Sequence, residues 1–154
     1  MLTYLPSMQG PWAETTDELG NISTMLKKSA PRVLVIDDEA LIRWSLTEML
    51  GERGYAVTEA PDAKKALAAI QQAAEPFEVV LLDYRLPDSA DLRLLATIRR
   101  MSPTSQVIMI TAHNSPELAQ GAAALGAYRV INKPFEVEGL AALVNQARIA
   151  GGAK

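Results

Sequence analysis

The stretch Glu78-Val79-Val80-Leu81-Leu82-Asp83 decides how this chain folds. Four consecutive apolar residues without polar alternation are typical of a strand that helices cover on both faces of a parallel sheet. An acid such as Asp83, placed where the apolar run ends, is unlikely to serve as core packing. We therefore predict a buried strand over residues 78–83 that carries a functional carboxylate at its carboxyl end.

Similar apolar runs recur along the chain and alternate with stretches whose apolar residues follow helical spacing. The predicted strands are 32–37, 55–59, 78–83, 106–111 and 128–132, and the predicted helices are 40–52, 62–74, 90–101, 116–125 and 135–149. Gly51 and Gly54 are expected to end the first helix. This alternation predicts a doubly wound, flavodoxin-like α/β domain, in which helices cover both faces of a five-stranded parallel sheet.

Length and composition exclude several classes of protein. The 154 residues, 49% of them hydrophobic, suffice for one domain with its own core. The formal net charge of -3 disfavours direct binding to nucleic acid. Cysteine is absent, and no apolar stretch approaches the roughly 20 residues that a membrane helix needs. We therefore expect a cytoplasmic protein that contacts neither nucleic acid nor membrane directly.

The pattern divides the chain into three parts. Residues 1–30 show no sustained period and are expected to form a flexible leader, with a short helix over Thr16 to Lys28 as the alternative. Residues 31–150 are the predicted domain. Residues 151–154 are expected to be a C-terminal tail.

Polar residues follow four of the predicted strands. Asp37 and Asp38 come after the first strand, Asp83 after the third, Thr111 after the fourth and Lys133 after the fifth. Because the carboxyl ends of parallel strands meet at one edge, these side chains should share one crevice. Two carboxylates 4 Å apart repel by about 4 kcal/mol at an effective dielectric of about 20, so a cation is expected there. All-oxygen ligands favour Mg²⁺ or Mn²⁺.

Such a site is equipped for phosphoryl transfer. A carboxylate beside a divalent cation, the Lys133 ammonium and the Thr111 hydroxyl can attack a phosphoryl group, because this reaction needs mainly positioning and charge neutralisation. The predicted product is an aspartyl phosphate on Asp83. The metal, Lys133, Thr111 and a backbone N–H after Asp83 would contact the phosphoryl oxygens.

This ordered set of residues resembles the receiver domain of two-component response regulators over about residues 31–149. The resemblance implies a CheY-like (βα)5 fold in which Asp37 and Asp38 bind Mg²⁺ and the main-chain carbonyl of Arg85 completes the metal shell. It also implies that Asp83 accepts the phosphoryl group from the phosphohistidine of a histidine kinase or a phosphotransfer protein.

The resemblance further implies a switch. Thr111 is expected to move toward the phosphoryl group, and an aromatic side chain, matched here to Tyr128, to rotate into the vacated space. The alternative for Tyr128 is an ordinary half-buried aromatic residue of a strand. The surface made by the fourth helix, fifth strand and fifth helix, about residues 116–149, would then change. Partners, and a second copy of the chain in a homodimer, are expected to bind there.

Some segments narrow the resemblance and one departs from it. Thr111-Ala112-His113, Ile42-Arg43-Trp44 and the segment from Gly126 to Phe135 look most like NtrC-type receivers. Receivers commonly carry a glycine shortly after Leu-Pro, whereas this chain has Asp88-Ser89-Ala90-Asp91. The missing glycine is expected to alter this loop without touching a phosphoryl-transfer group.

Single side chains outside the set have separate interpretations. His113 is expected in a surface loop, and Trp44 is expected to serve packing, with contact to a partner as the alternative. Glu39 either adds to the acidic site or provides a favourable charge at the start of a helix.

Two other functions remain open at this level. A hydrolase or phosphatase that forms an aspartyl phosphate uses the same chemistry, but it typically has its nucleophile on the first strand. An interaction module of the same fold that works without phosphorylation often lacks one of the acids, the threonine or the lysine, all of which are present here.

The leading hypothesis is a signalling switch without metabolite turnover, limited to phosphorylation and dephosphorylation of itself. The sequence fits both a single-domain regulator and the receiver part of a longer one.

Overall fold

The computed structural model describes residues 29–152. Its strands are Arg32–Ile36 (β1), Ala56–Ala60 (β2), Val79–Asp83 (β3), Gln106–Thr111 (β4) and Arg129–Asn132 (β5). Its helices are Ala40–Glu52 (α1), Ala63–Gln72 (α2), Arg93–Met101 (α3), Pro116–Ala124 (α4) and Val137–Gly152 (α5). The predicted leader lies outside the described residues, except for its last two, and so does the alternative helix over Thr16 to Lys28.

The strands form one parallel sheet in the order β2-β1-β3-β4-β5. The stretch that decided the fold, β3, lies at the centre, where Leu81 aligns with Val35 of β1 and with Ile108 of β4. All residues of β3 are buried. The order with one reversal of winding is that of a flavodoxin-like fold, so the predicted five-stranded, doubly wound domain is confirmed.

Two apolar layers flank the sheet because alternate side chains of each strand point to opposite faces. On one face, Val80 and Leu82 pack with helices α2, α3 and α4. On the other face, Val79 and Leu81 pack with helices α1 and α5. The continuous apolar runs of the sequence therefore serve both layers at once.

Helix α1 has the predicted bounds, although not for the predicted reason. Gly51 lies inside the helix, and Gly54 follows its end with a φ of +91°. That φ lies in the left-handed region that glycine adopts without steric cost. Only the second of the two glycines therefore marks the turn into β2.

Helix α5 differs from its predicted bounds at both ends. It begins at Val137 and continues to Gly152, so the predicted tail from residue 151 onward is partly helix. Apolar residues of this helix pack on the sheet, which offsets the weak helix propensity of its terminal glycines. Helix α3 begins later than predicted, at Arg93, because the Asp91 carboxylate accepts the backbone N–H of Arg93 there.

No helix within residues 29–152 combines the length and the apolar character that a membrane crossing requires.

Candidate functional site

The predicted polar residues meet at the carboxyl edge of the sheet. Asp83 and Thr111 end β3 and β4, and Asp37 and Lys133 follow β1 and β5 directly. Backbone hydrogen bonds extend the ladders past the strand ends, since Asp37 N–H donates to Ala60 O at 3.1 Å and Lys133 N–H to Thr111 O at 2.8 Å. The Lys133-Pro134 peptide bond is cis. The sheet itself therefore fixes the backbone on which the site is built.

The ammonium of Lys133 lies among three carboxylates. Its Nζ is 3.1 Å from Asp37 Oδ2, 3.2 Å from Asp83 Oδ2 and 3.2 Å from Glu39 Oε1. Asp37 and Asp83 are buried, whereas the Glu39 side chain is 59% exposed. Because two of the acids are desolvated, the ammonium is needed to offset their charge.

The charges and the burial at the site shift the pKa values of Asp83 and Lys133. Burial raises the pKa of Asp83 to about 6, and the negative charge of Asp37 adds to this increase. The Arg85 N–H and the Lys133 ammonium oppose the increase without cancelling it. Burial by itself would lower the pKa of Lys133, but the charges of Asp37 and Asp83 outweigh it and raise that pKa above its usual value.

The carboxylates that come closest together are not the predicted set. Asp37, Glu39 and Asp83 each offer an oxygen, and these oxygens lie within 4.8 Å of one another. Asp37 Oδ1 accepts the Glu39 N–H at 2.8 Å, which turns the chain so that the Glu39 carboxylate faces the site. Asp38 is exposed and stands outside this group. In the sequence, the position of Glu39 directly after Asp37 and Asp38 was the feature that indicated its place in this group.

Asp38 nevertheless lines the cavity above the acids. This cavity has a volume of about 280 Å³ and is also lined by Glu39, Asp83, Arg85, Ala112 and Lys133. A larger cavity of about 580 Å³ lies beside α2 and α3, but its lining includes neither Asp83 nor Lys133. We take the smaller cavity as the candidate site because it contains the desolvated charges.

Arg85 contacts the site through its backbone. Its N–H donates to Asp83 Oδ1 at 3.1 Å, so the two oxygens of Asp83 have different partners, this N–H and the Lys133 ammonium. Arg85 also lines the site cavity. The predicted role of its carbonyl as a metal ligand remains a prediction.

Thr111 and Tyr128 are arranged differently from what the switch hypothesis assumed. Thr111 is buried, and its Oγ1 accepts the His113 N–H at 3.1 Å. Tyr128 lies one residue before β5 and packs against the layer of α1 and α5. Strand alternation places Thr111 on the face of Met109, which belongs to the opposite layer. On β5, the residue that packs against Thr111's layer is Val130, aligned with Met109.

Residues of α1 and of the loop after β4 complete the surroundings. Arg43 donates from Nη1 to Asp37 O at 2.7 Å and from Nε to Glu59 Oε1 at 3.3 Å, a contact that we did not predict. In the sequence, Arg43 was noted only as part of the segment Ile42-Arg43-Trp44.

Trp44 is 60% exposed, so its predicted packing role is wrong. His113 is exposed in a loop, as predicted.

The structure thus defines a class of protein, a doubly wound α/β domain with carboxylates and one ammonium gathered at the carboxyl edge of its sheet. A family model described as the response regulator receiver domain matches residues 33–145. The chain belongs to this family, as its residue pattern had indicated.

Relatives and solved structures agree with that assignment. The chain is 36% identical over 115 residues to the DNA-binding transcriptional regulator NtrC of Salmonella typhimurium, an alignment that covers 75% of this chain and 24% of that protein. A CheY-like receiver domain protein from Methanospirillum hungatei superimposes with a TM-score of 0.77 and 30% identity, covering 81% of this chain and 98% of that one. The beryllofluoride-activated NtrC4 receiver domain, solved as a dimer, gives a TM-score of 0.72 and 37% identity, with coverages of 78% and 98%.

The match to NtrC is therefore a match to one of its parts. The chain spans about a quarter of the length of that relative and 50% of the two-component response regulator PhoP of Pseudomonas aeruginosa, to which it is 34% identical. The similarity to these relatives therefore concerns their receiver domain. NtrC is named a DNA-binding transcriptional regulator, and PhoP a two-component response regulator.

Proposed function

We propose that this receiver domain accepts a phosphoryl group on Asp83 from the phosphohistidine of a histidine kinase or a phosphotransfer protein. The observation that carries the proposal is the Lys133 ammonium, 3.2 Å from Asp83 Oδ2 and 3.1 Å from Asp37 Oδ2 at a cavity open to solvent. Phosphoryl transfer needs a nucleophile held in place and positive charge for the equatorial oxygens of the transferred group. Both are present here.

The donor set fits Mg²⁺ or Mn²⁺. Three carboxylate oxygens within 4.8 Å of one another, with no sulfur or imidazole ligand among them, form the hard, all-oxygen environment that these ions prefer. We assign Asp37, Asp38, Asp83 and the Arg85 carbonyl as the metal-binding residues. Glu39 is added because its carboxylate belongs to the close group. When bound, the ion would offset the charge of the acids and of the incoming phosphoryl group.

The chain's own residues perform the transfer. An oxygen of Asp83 attacks phosphorus, the phosphorus–nitrogen bond breaks, and its electron pair stays with the imidazole of the donor. The pKa of Asp83, raised to about 6 mainly by burial, leaves the carboxylate ionised at neutral pH and more basic than an exposed one. Lys133 is placed to contact an oxygen of the phosphoryl group, and Thr111 is the proposed hydroxyl donor.

Phosphorylation would then act on the partner surface. The phosphoryl group adds about -1.5 to -2 units of charge at the carboxyl edge of the sheet. We propose that Thr111 responds to it, with Tyr128 as the predicted second switch residue. The change would reach α4, β5 and α5, where partners discriminate between the two states by differential affinity. The activated NtrC4 receiver dimer supports a homodimer of this kind.

The proposed activity takes place on the domain itself in the cytoplasm. Autodephosphorylation returns it to the starting state, and no turnover of a metabolite is part of the proposal. With a net charge of -3, this chain is not proposed to bind nucleic acid or membrane directly. DNA binding is described for the longer NtrC relative.

The test uses the full chain with acetyl phosphate and Mg²⁺, followed by intact mass spectrometry. The wild type should gain the mass of one phosphoryl group, which hydroxylamine removes, and Asp83→Asn should gain none because an amide is a poor nucleophile. Hydroxylamine-sensitive incorporation that persists in Asp83→Asn would sink the assignment.

The same assay separates the metal ligands and the alternative functions. Asp38→Asn and Glu39→Gln each remove one carboxylate of the assigned metal set, and each should raise the Mg²⁺ concentration that half-maximal phosphorylation requires. Turnover of p-nitrophenyl phosphate would favour a phosphatase. A chain that binds neither Mg²⁺ nor beryllofluoride would be an interaction module that works without phosphorylation.

A further inference from the structure

We propose that Asp88 is a positioning residue of this site, because its carboxylate fastens the loop after β3 to the start of α2 and thereby fixes the backbone of Arg85. The inference rests on the proposed function, since Arg85 is assigned there to the metal. Within residues 29–152, no hydrogen bond joins the Asp88 side chain to Asp83 or Lys133. Its effect would therefore pass through the loop.

The contact between Asp88 and α2 is bidentate. Asp88 Oδ1 accepts the backbone N–H of Ala63 at 2.8 Å, and Oδ2 accepts that of Lys64 at 3.0 Å. Both N–H groups belong to the first turn of the helix, where backbone donors have no partner within the helix. A negative charge at this end is also favoured by the helix dipole. The two bonds therefore form a specific attachment.

A second carboxylate caps the same helix from within. Asp62, the N-cap residue of α2, accepts the Lys65 N–H at 2.8 Å, and its carbonyl accepts the Ala66 N–H at 3.0 Å. Two carboxylates thus divide the free donors of one helix between them. Asp62 acts locally, whereas Asp88 reaches the helix from a loop distant in sequence. Among the hydrogen bonds of residues 29–152, those of Asp88 connect the helix to the loop that follows the phosphoacceptor.

The segment between Asp83 and Asp88 can transmit a displacement. Leu86 is buried, its N–H donates to Ser89 O at 2.8 Å, and Ser89 N–H donates back to Leu86 O at 3.3 Å. Pro87 fixes one backbone dihedral of this tight turn. The absence of a glycine leaves the turn without the most permissive residue. At its start, the Arg85 N–H holds Asp83 Oδ1.

Removing Asp88 would free one end of this turn. The buried Leu86 side chain would still hold its middle, but the Arg85 backbone would lose one of the constraints on its direction. This loss would change the positions of both backbone polar groups of Arg85, the N–H that orients Asp83 and the carbonyl assigned to the metal. Outer partners of metal ligands commonly contribute a factor of about 10–100 to metal affinity. We expect an effect at the lower end because Asp88 acts through several bonds.

The experiment compares Asp88→Ala with Asp62→Ala in the full chain. Each variant removes one carboxylate that caps α2, so the change in net charge is matched, while Asp88→Ala loses two hydrogen bonds to the helix and Asp62→Ala loses one. Mn²⁺ binding is measured by electron paramagnetic resonance, with Mg²⁺ as competitor. We expect affinity to fall by about tenfold in Asp88→Ala and to stay within about twofold of the wild type in Asp62→Ala. The amide resonance of Arg85 should shift only in Asp88→Ala.

Two milder variants, Asp88→Asn and Asp62→Asn, keep the test valid if the alanine variants do not fold. Asp88→Asn retains one side-chain oxygen, which can accept from only one of the two N–H groups, so an intermediate affinity is expected. Asp62→Asn is its matched control. Equal affinities in the Asp88 and Asp62 variants would overturn the inference and leave the proposed function intact. A wild type that binds neither Mn²⁺ nor Mg²⁺ would overturn both.

Discussion

Lys133 Nζ lies 3.2 Å from Asp83 Oδ2, and the same ammonium contacts Asp37 and Glu39. A single cation thus serves three carboxylates that would otherwise repel one another in a partly desolvated site. A divalent metal would approach the same oxygens. The ammonium and the metal are therefore competitors for charge in the resting site, although both would support a phosphoryl group once it arrives.

This competition predicts opposite effects of Lys133→Met on binding and on chemistry. We expect Mg²⁺ to bind about tenfold more tightly, equivalent to about 1.4 kcal/mol, because the acids lose their internal counter-charge. Phosphorylation by acetyl phosphate should nevertheless become slower. Isothermal titration calorimetry measures the first effect and the rate of mass gain the second.

The control is Lys65→Met, which removes an ammonium that is exposed and forms no ion pair among residues 29–152. It should change neither quantity by more than about twofold. Weaker Mg²⁺ binding in Lys133→Met would mean that the lysine organises the acids more than it competes with the ion.

The raised pKa of Asp83 predicts how stability depends on pH without metal. The folded-state pKa is about 6 and the ordinary value 3.8, so the unfolded chain releases this proton at lower pH. Between those values the folded state binds more protons, and this group's contribution to the free energy of unfolding falls as pH rises. Asp83→Asn removes that penalty. We expect it to be more stable than the wild type at pH 8 by on the order of 1 kcal/mol, after allowance for solvent screening.

The advantage of Asp83→Asn should disappear as pH falls toward 4, where the wild-type carboxyl is also neutral. Urea denaturation in the presence of a chelator at several pH values measures it. An advantage that does not change between pH 4 and pH 8 would contradict the assignment of the penalty to the charge of Asp83.

The switch hypothesis predicts that Thr111→Ala is phosphorylated but responds weakly. Its buried hydroxyl, which here accepts the His113 N–H, would no longer be available to the phosphoryl group. Chemical-shift changes on adding beryllofluoride should therefore shrink around Tyr128 while binding persists. An unchanged pattern there would count against the coupling.

A pair of further variants distinguishes the two faces of β5. Tyr128→Leu alters the residue packed with α1 and α5, and Val130→Ala alters the one packed in the layer of Met109. If Tyr128 is the second switch residue, only the first variant should change the beryllofluoride response. A response lost only in Val130→Ala would move the switch to the strand face that Thr111 shares.

Two glycines near the end of α1 give a stability prediction with a built-in control. Gly51 lies inside the helix, and the space that an added Cβ would occupy is open, so Gly51→Ala should stabilise by about 0.5–1 kcal/mol. Gly54 has equally open surroundings but a φ of +91°, so Gly54→Ala should destabilise by about 1 kcal/mol. Thermal denaturation of both variants measures the difference. Shifts of the same sign would refute the conformational argument.

The sequence allowed the sheet and the location of the site to be predicted because both depend on patterns of residue type. Continuous apolar runs identify strands covered on both faces, and the topology then brings their carboxyl ends together. Strand order puts Asp83 and Lys133 at the same edge with β4 between their strands, so the sequence predicted their shared site but not the 3.2 Å contact itself. Neither prediction required knowledge of a side-chain conformation.

The features that the sequence did not determine depend on single backbone positions. A strand that begins at Arg129 instead of Tyr128 changes the neighbours of the aromatic ring, because facing alternates with every residue. The approach of Glu39 depends on one hydrogen bond from its N–H to Asp37 Oδ1. The hydrogen bonds from Asp88 to α2 join residues 24 and 25 positions apart, and no motif in the sequence links them. Such contacts are consequences of the assembled fold.

Arg43 offers a last test because two physical effects on metal affinity oppose each other there. Its guanidinium holds Asp37 O at 2.7 Å and pairs with Glu59 Oε1 at 3.3 Å, which ties α1 to the ends of β1 and β2. Loss of its charge in Arg43→Met would strengthen Mg²⁺ binding, as for Lys133. Loss of the tether would weaken it, because the backbone that carries the acids becomes less constrained.

Ionic strength separates the two effects. In 1 M salt the Debye length is about 3 Å, so the charge effect is largely screened while the loss of the tether persists. We expect Arg43→Met to bind Mg²⁺ several-fold more weakly than the wild type under these conditions. Glu59→Gln, which keeps the arginine charge but weakens its anchor, should show a smaller loss in the same direction. Tighter binding by Arg43→Met in 1 M salt would mean that Arg43 does not hold the Asp37 backbone in place.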